Sequence, residues 1–249
     1  RNALSALKAT DILIVPDIYD RVEQVLDVMG IPYTVAGNNA RGIGAAKFVI
    51  VNCPGNWLGN KTKQIRRFVK NGGFLITTDW AVKPLQEIFP EKIQWNGATT
   101  GDECVALDES ATTTEDHRAD GPAPVWWLEG SSYPFTVSPE VEVLLKSSEL
   151  FRKYGSGIVA ASWLFGEGKV VHMISHYYLQ RTDLRSGLEK SAFSTVSASF
   201  GYDNNELLKT GVNTLSEDVA AGSVNSAIKS TEFLYTAFLD SDFRRKQRS

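Results

Sequence analysis

The sequence predicts an α/β protein: a mostly parallel sheet with helices on both faces, followed by a C-terminal helical region. Three observations carry that prediction. Short uninterrupted apolar runs, Ile12-Leu13-Ile14-Val15 and Phe48-Val49-Ile50-Val51 among them, are what strands buried on both faces look like. Between these runs lie segments whose apolar residues recur with a helical period. Helix terminators, Gly30 and Asn71-Gly72-Gly73, then separate each helix from the next strand.

Taken in order, Asp11 to Val15 is the first strand, and Asp20 is placed to N-cap a helix with Val22, Val25, Leu26 and Met29 on one face. Gly30 closes that helix, Ile31 to Val35 is a second strand, and Phe48 to Val51 a third. Lys61 to Lys70 is a helix with Ile65, Phe68 and Val69 inward and Arg66, Arg67 and Lys70 outward. Phe74 to Thr77 is the fourth strand. Alternating units of this length imply right-handed crossovers and a flavodoxin-like sheet. Residues 97–125 are acidic and threonine-rich and read as an insertion or a pair of irregular strands. From Tyr133 the pattern recovers in Val141 to Leu145, Gly157 to Ala161 and Gly168 to Ile174, with Gly166-Glu167-Gly168 as a tight turn. Ser216 is placed to cap a final helix whose inner face is Ala220, Val224, Ala227, Ile228, Thr231, Leu234, Tyr235 and Phe238. Gly222 within it costs roughly 1 kcal/mol against Ala. The expected organisation is one α/β domain over residues 1–182, with an insertion at 97–135, and a helical extension over 183–249 packed on it.

The composition excludes several classes. Of 249 residues 43% are apolar and 22% charged, a globular balance, and the net charge is -3. A nucleic-acid partner is not expected, because its footprint is a basic stripe. The one basic cluster, Arg244-Arg245-Lys246-Gln247-Arg248, reads as a helix end and soluble tail. Cys53 and Cys104 are the only cysteines and read as reduced thiols. No stretch approaches the roughly 20 apolar residues of a membrane span, and no signal-peptide pattern opens the chain. A cytoplasmic setting is expected. A first residue of Arg1 fits a trimmed chain or one domain of a longer protein.

The most informative segment is Gly72-Gly73-Phe74-Leu75-Ile76-Thr77-Thr78-Asp79-Trp80. A strand there ends on a polar, turn-prone pair, at the end of the sheet where ligands and catalytic groups collect. Hydrolases often place a Cys or Ser on such a strand-to-helix elbow. Here the residue is Asp79, a poor nucleophile for acyl transfer.

The element order, the Thr78-Asp79-Trp80 elbow and the run Val170-Val171-His172-Met173-Ile174-Ser175-His176 together resemble the class I glutamine amidotransferase-like superfamily. The resemblance covers roughly residues 10–180. It implies a nucleophilic Cys on the elbow, and a His and an acid at a later strand end. Asp79 falls where that Cys would be and His176 where that His would be. Tyr178 stands where the acid would be, two residues after the His. The resemblance is therefore to a non-catalytic branch, of the sort found as an accessory module in larger bacterial systems. An Asp79 carboxylate would form a charged hydrogen bond to an imidazole, as a latch or a ligand-binding pair.

Other constellations carry chemistry of their own. Gly55-Asn56-Trp57-Leu58-Gly59-Asn60-Lys61-Thr62 is one residue from a phosphate-binding loop, with Asn60 where its second glycine belongs and Asp79 placed as a magnesium-holding partner. A Gly/Asn-rich turn is the simpler reading, since the missing glycine and Trp57 both work against wrapping phosphate. Cys53, beside Asn52 and Pro54 on the ligand side of the sheet, is either a small apolar residue or a displaced nucleophile with His176 as its base. Cys104 has no metal spacing. His172 and His176 lie on one face of a strand about 13 Å apart, too far for one metal ion unless the strand ends between them. His117 among Glu115, Asp116 and Asp120 reads as a solvated acidic loop. Gly42-Ile43-Gly44 precedes a strand and not a helix, so it is no dinucleotide site. Trp126 and Trp127, with Tyr133 and Phe135, read as core.

The resulting expectation is a non-catalytic binding or assembly module, whose partner is another protein or another domain of the same system. The expected ligand-binding residues are Asp79, Trp80, Asn52, Cys53 and His176. Neither a metal nor a cofactor is expected. Two alternatives stay open: an amide or ester hydrolase using Cys53 or Asp79 with His176, and a degenerate nucleotide binder.

Overall fold

A computed structural model describes residues 7–37, 43–108 and 125–176, together with Leu234 and Phe238. In chain order its first half holds β1 (Ile12–Val15), α1 (Val22–Met29), β2 (Thr34–Val35), β3 (Phe48–Val51), α2 (Thr62–Lys70), β4 (Phe74–Thr78) and α3 (Val82–Ile88). There follow β5 (Ile93–Trp95), β6 (Glu103–Ala106), β7 (Val125–Leu128), β8 (Phe135–Val137), β9 (Glu142–Lys146), α4 (Ser148–Tyr154), β10 (Ile158–Phe165) and β11 (Gly168–Met173).

Seven of these strands form one sheet in the order β2-β1-β3-β4-β11-β10-β9. The pairings from β2 through β11 are parallel, with Ile50 opposite Ile76 and Ile76 opposite Val171. β10 runs antiparallel to β11, and β9 antiparallel to β10. β1 and β3 are apolar throughout, and β4 is apolar up to its closing Thr77 and Thr78; every residue of the three is buried. α2 lays Ile65, Phe68 and Val69 onto the sheet. Fully burying each such side chain is worth about 1.5–3 kcal/mol. Over residues 7–176, so far as they are described, the α/β fold class is the one the sequence predicts.

Local differences have local causes. β2 is shorter than Ile31 to Val35, because only Thr34 and Val35 pair with β1. Asp20 is not the cap of α1, a position held by Arg21. Its carboxylate instead accepts from the Thr78 hydroxyl at 2.7 Å and from the Arg21 N–H at 2.7 Å, fully buried. Arg66 does not simply point outward: its guanidinium lies 4.4 Å over the Phe165 ring and donates to the Ile88 carbonyl. The irregular middle contains two small antiparallel ribbons, β5 with β8 and β6 with β7. Trp126, Trp127 and Phe135 are core, as expected, and Tyr133 is partly buried and packs against that core.

Residues 109–124, including His117, and the capping Ser216 lie outside the described residues. Of the final helix, Leu234 and Phe238 are helical and buried, and the Phe238 ring meets Phe48 edge-on at 4.8 Å. Among the described residues no helix is long and apolar enough to cross a membrane.

Candidate functional site

The order of the sheet changes direction between β1 and β3, since β1 is flanked by β2 on one side and β3 on the other. Loops that leave neighbouring strands toward opposite faces open a crevice at such a point. Here the two loops are tied together: Tyr19 N–H donates to the Cys53 carbonyl at 3.1 Å, and Gly55 N–H to Asp17 at 3.2 Å. Gly55 has φ +73°, and a Cβ there would lie 2.6 Å from that of Ala81. A glycine is needed for this approach, and it brings the Cys53 loop against the elbow after β4.

Asp79 opens that elbow with φ +45°, the left-handed region that a non-glycine residue enters at a cost of roughly 1–2 kcal/mol. The strain aims its carboxylate inward. Oδ1 accepts from Tyr133 N–H at 2.8 Å, and the Ser132 hydroxyl stands 3.2 Å from Oδ2. That hydroxyl has one proton and a nearer acceptor, the Glu129 carbonyl at 2.8 Å, so its donation to Asp79 is shared. The Ser175 backbone also favours the ionised carboxylate.

His176 follows the end of β11, where Ser175 turns the chain at φ +65°. Its Nδ1 lies 2.5 Å from Glu129 Oε2, and its Nε2 lies 3.6 Å from Asp79 Oδ2. Glu129 is the residue after β7, held by Ser175 Oγ accepting its N–H at 3.1 Å. Trp126 Nε1 donates to the Ile174 carbonyl at 3.0 Å and fixes β7 against the same segment. The ligand atoms of Cys53, Asp79 and His176 all lie within 4.8 Å of one another, and all three residues are buried.

The electrostatics follow from this enclosure. Burial pushes the Cys53 thiol up to about 11, outweighing His176 and the Trp80 N–H, which favour the thiolate. Burial likewise pushes Asp79 up to about 6, against the pull of His176, Tyr133 and Ser132. For His176 burial alone would drain the proton, but Cys53 and Glu129, with the charges of Asp20 and Asp79, hold its pKa well above the usual imidazole range. The thiol acts on Nε2 through proximity only, because Nε2 has no partner in hydrogen-bond geometry among the described residues. The enclosure therefore favours a protonated imidazole at His176 and a neutral thiol at Cys53.

A glutamine amidotransferase structure from Methylobacillus flagellatus superposes on 95% of this chain and 96% of its own, with TM-score 0.51 and 14% identity. The fold is that of the glutamine amidotransferases. A second amidotransferase structure, from Thermotoga maritima, matches 92% of this chain and 96% of its own at TM-score 0.48 and 9% identity. A GH42 β-galactosidase from G. stearothermophilus matches 67% of the chain at TM-score 0.46 and 13% identity, and the chain spans 27% of that enzyme's length. No family model and no curated protein sequence matches the chain.

Within this amidotransferase-like fold the structure brings together three of the five expected residues: Cys53, Asp79 and His176. Trp80 flanks them. Its ring stacks on Tyr133 at 5.2 Å and meets Tyr19 edge-on at 5.2 Å, and its Nε1 donates to the Ser131 carbonyl. Asn52 is fully buried and donates to Glu23 at 2.9 Å, while its Oδ1 has no partner among the described residues. Sequence reasoning missed Glu129, because it sought an acid at a fixed spacing after His176. The structure supplies one from 47 positions earlier. His172, by contrast, is a core residue. Burial pushes its pKa down to about 3, and Nδ1 pairs with the Thr77 hydroxyl at 2.8 Å.

The loop that resembles a phosphate cradle uses its own amides. Leu58 N–H donates to Gly55 O, Gly59 N–H to Asn56 O and Lys61 N–H to Leu58 O, while Gly55 N–H is held by Asp17. A phosphate loop needs those donors free. The geometry therefore gives the nucleotide-binding alternative no support.

Proposed function

We propose that this chain is a non-catalytic amidotransferase-like module, which binds or assembles with another protein or another domain of the same system. One observation carries the reading. The elbow position holds Asp79, whose carboxylate is already engaged by the Tyr133 N–H and the Ser132 hydroxyl, with the His176 imidazole 3.6 Å away. Acyl transfer needs a nucleophile with a free attacking pair and a base ready to take its proton. A carboxylate enclosed by donors, beside an already protonated imidazole, offers neither. The exposed Ile18 and Tyr19 on the β1 loop, next to Trp80, give the same rim of the sheet an apolar surface that suits a partner.

A second reading has a specific observation behind it. Glu129, His176 and Cys53 stand in the order acid, imidazole, thiol, which is the arrangement of a cysteine hydrolase. Against it, Cys53 is 1% exposed and its thiol is held neutral by burial. The deciding experiment is turnover of glutamine and of a small ester by the purified chain, beside Cys53→Ala and His176→Ala. The proposal expects no turnover above the buffer rate in any of them. Turnover by the parent protein that disappears in both variants would replace the proposal with the hydrolase.

A further inference from the structure

Cys53, Asp79 and His176 come from three separate parts of the chain: the loop after β3, the elbow after β4 and the segment after β11. Their ligand atoms, one sulfur, one carboxylate oxygen and one imidazole nitrogen, converge within 4.8 Å. Among the described residues this is the one such group of three. We propose that it binds a borderline divalent transition metal of the zinc class.

Four features support the assignment independently of any catalytic role. The first is distance. Tetrahedral coordination with bonds of about 2.0–2.3 Å sets ligand atoms about 3.3–3.8 Å apart. His176 Nε2 and Asp79 Oδ2 are 3.6 Å apart, too long for a good hydrogen bond and right for an edge of that tetrahedron. The widest separation, at most 4.8 Å, exceeds that range by about 1 Å.

The second feature is an orphaned donor atom. His176 Nε2 is fully buried, has no hydrogen-bond partner among the described residues and faces the other two ligand atoms. A buried polar atom left unpaired is destabilising, and a metal bond would satisfy it. The third is the support behind the imidazole. Glu129 Oε2 stands 2.5 Å from Nδ1, the carboxylate–histidine arrangement that orients a metal-ligating imidazole and raises its basicity.

The fourth feature is charge. A divalent ion with a Cys53 thiolate, an Asp79 carboxylate and a neutral His176 makes a neutral set, which suits a buried site. Binding releases the proton of the Cys53 thiol and that of His176 Nε2 to solvent. Sulfur and imidazole together select zinc, cobalt or iron(II) over magnesium and calcium, which want oxygen alone. With Cys53, Asp79 and His176 1%, 2% and 7% exposed, the fourth position suits a water and not a large substrate.

The test uses the full chain, stripped with a chelator and then titrated with zinc and, separately, with cobalt(II). Metal content after gel filtration should reach about one equivalent per chain. In Cys104→Ser protein, where Cys53 is the only thiol, cobalt should still produce a thiolate-to-metal charge-transfer band. Cys53→Ser should lose the band and weaken zinc binding by at least about 100-fold, and Glu129→Gln should weaken it by about 10–100-fold. Near-ultraviolet circular dichroism of the metal-free variants checks their folding. Zinc content below a tenth of an equivalent in the parent chain would overturn the proposal, as would a cobalt complex without the thiolate band. These readouts are binding and spectroscopy, so they stand or fall separately from glutamine turnover.

Discussion

His172 and His176 are four residues apart, both buried, and in opposite chemical states. His172 sits inside β11, with Phe135 edge-on to its ring at 4.7 Å and the Thr77 hydroxyl on Nδ1. Burial there has nothing to oppose it and holds the imidazole neutral, at about 3. His176 sits past the strand end, between Glu129 and Asp79, and keeps its proton well above the usual range. The difference teaches that burial does not choose a histidine's role. Position along the strand does, because only at the carboxyl end do loops from several strands deliver carboxylates.

The largest break in that comparison comes from removing a carboxylate. Glu129→Ala leaves a buried imidazolium with one partner fewer and should cost about 3–5 kcal/mol at pH 7. Glu129→Gln keeps an acceptor and should recover about half of that loss. Urea denaturation of metal-free protein measures both. A loss below about 1 kcal/mol for Glu129→Ala would mean that His176 is not held as an ion pair.

His172 gives the next effect, and its sign is opposite to that of His176. Its folded pKa is depressed from 6.5 to about 3, so the unfolded chain takes up the proton first as pH falls. Its contribution is present above pH 6.5 and is lost progressively toward pH 3. At pH 4 the loss amounts to about 3 kcal/mol. His176 is raised, so its contribution is intact below pH 6.5 and lost as pH rises through its higher folded value. Asp79 is also raised, and its contribution erodes between pH 3.8 and about 6. His172→Leu should therefore flatten the acid limb of the stability curve and leave the alkaline limb unchanged. A parent-like acid limb in the variant would show that His172 does not govern it.

The smallest effect is that of Ser132→Ala. Its hydroxyl is shared between Asp79 and the Glu129 carbonyl, so the loss should be about 1 kcal/mol, with the Asp79 pKa moving up. Calorimetry at pH 5 and pH 8 measures it. A loss above about 3 kcal/mol would show that the hydroxyl anchors the cluster and does not merely adjust it.

Much of this fold was legible in the chain. Continuous apolar runs mark β1 and β3 and the start of β4, because a strand buried on both faces is built mainly of apolar side chains. The elbow at Asp79 was legible for the same reason: a polar residue that ends such a run must sit at the rim. α3 and α4 were not read. α3 has seven residues with Pro84 in its first turn, where proline reads as a breaker but is tolerated. α4 also has seven, and its signal is a single cap, the Ser147 side chain accepting from Leu150 N–H. Cys53, Asp79 and His176 were legible as a group, because each follows the end of a strand on the ligand side of the sheet. Glu129 was invisible, because the β6–β7 ribbon and the Trp126 contact place it, and neither leaves a spacing to read.

That the thiol beside His176 is not an activated nucleophile can be checked on the thiol itself. The most direct test is the rate of Cys53 alkylation by a small thiol-directed reagent across pH 6–10, in metal-free Cys104→Ser protein. The expected result is reaction slower than that of a free thiol at every pH, rising toward the alkaline end as the thiol approaches its value of about 11. Reaction faster than a free thiol at pH 7, with an apparent pKa below about 7, would contradict it and mark Cys53 as a catalytic thiolate.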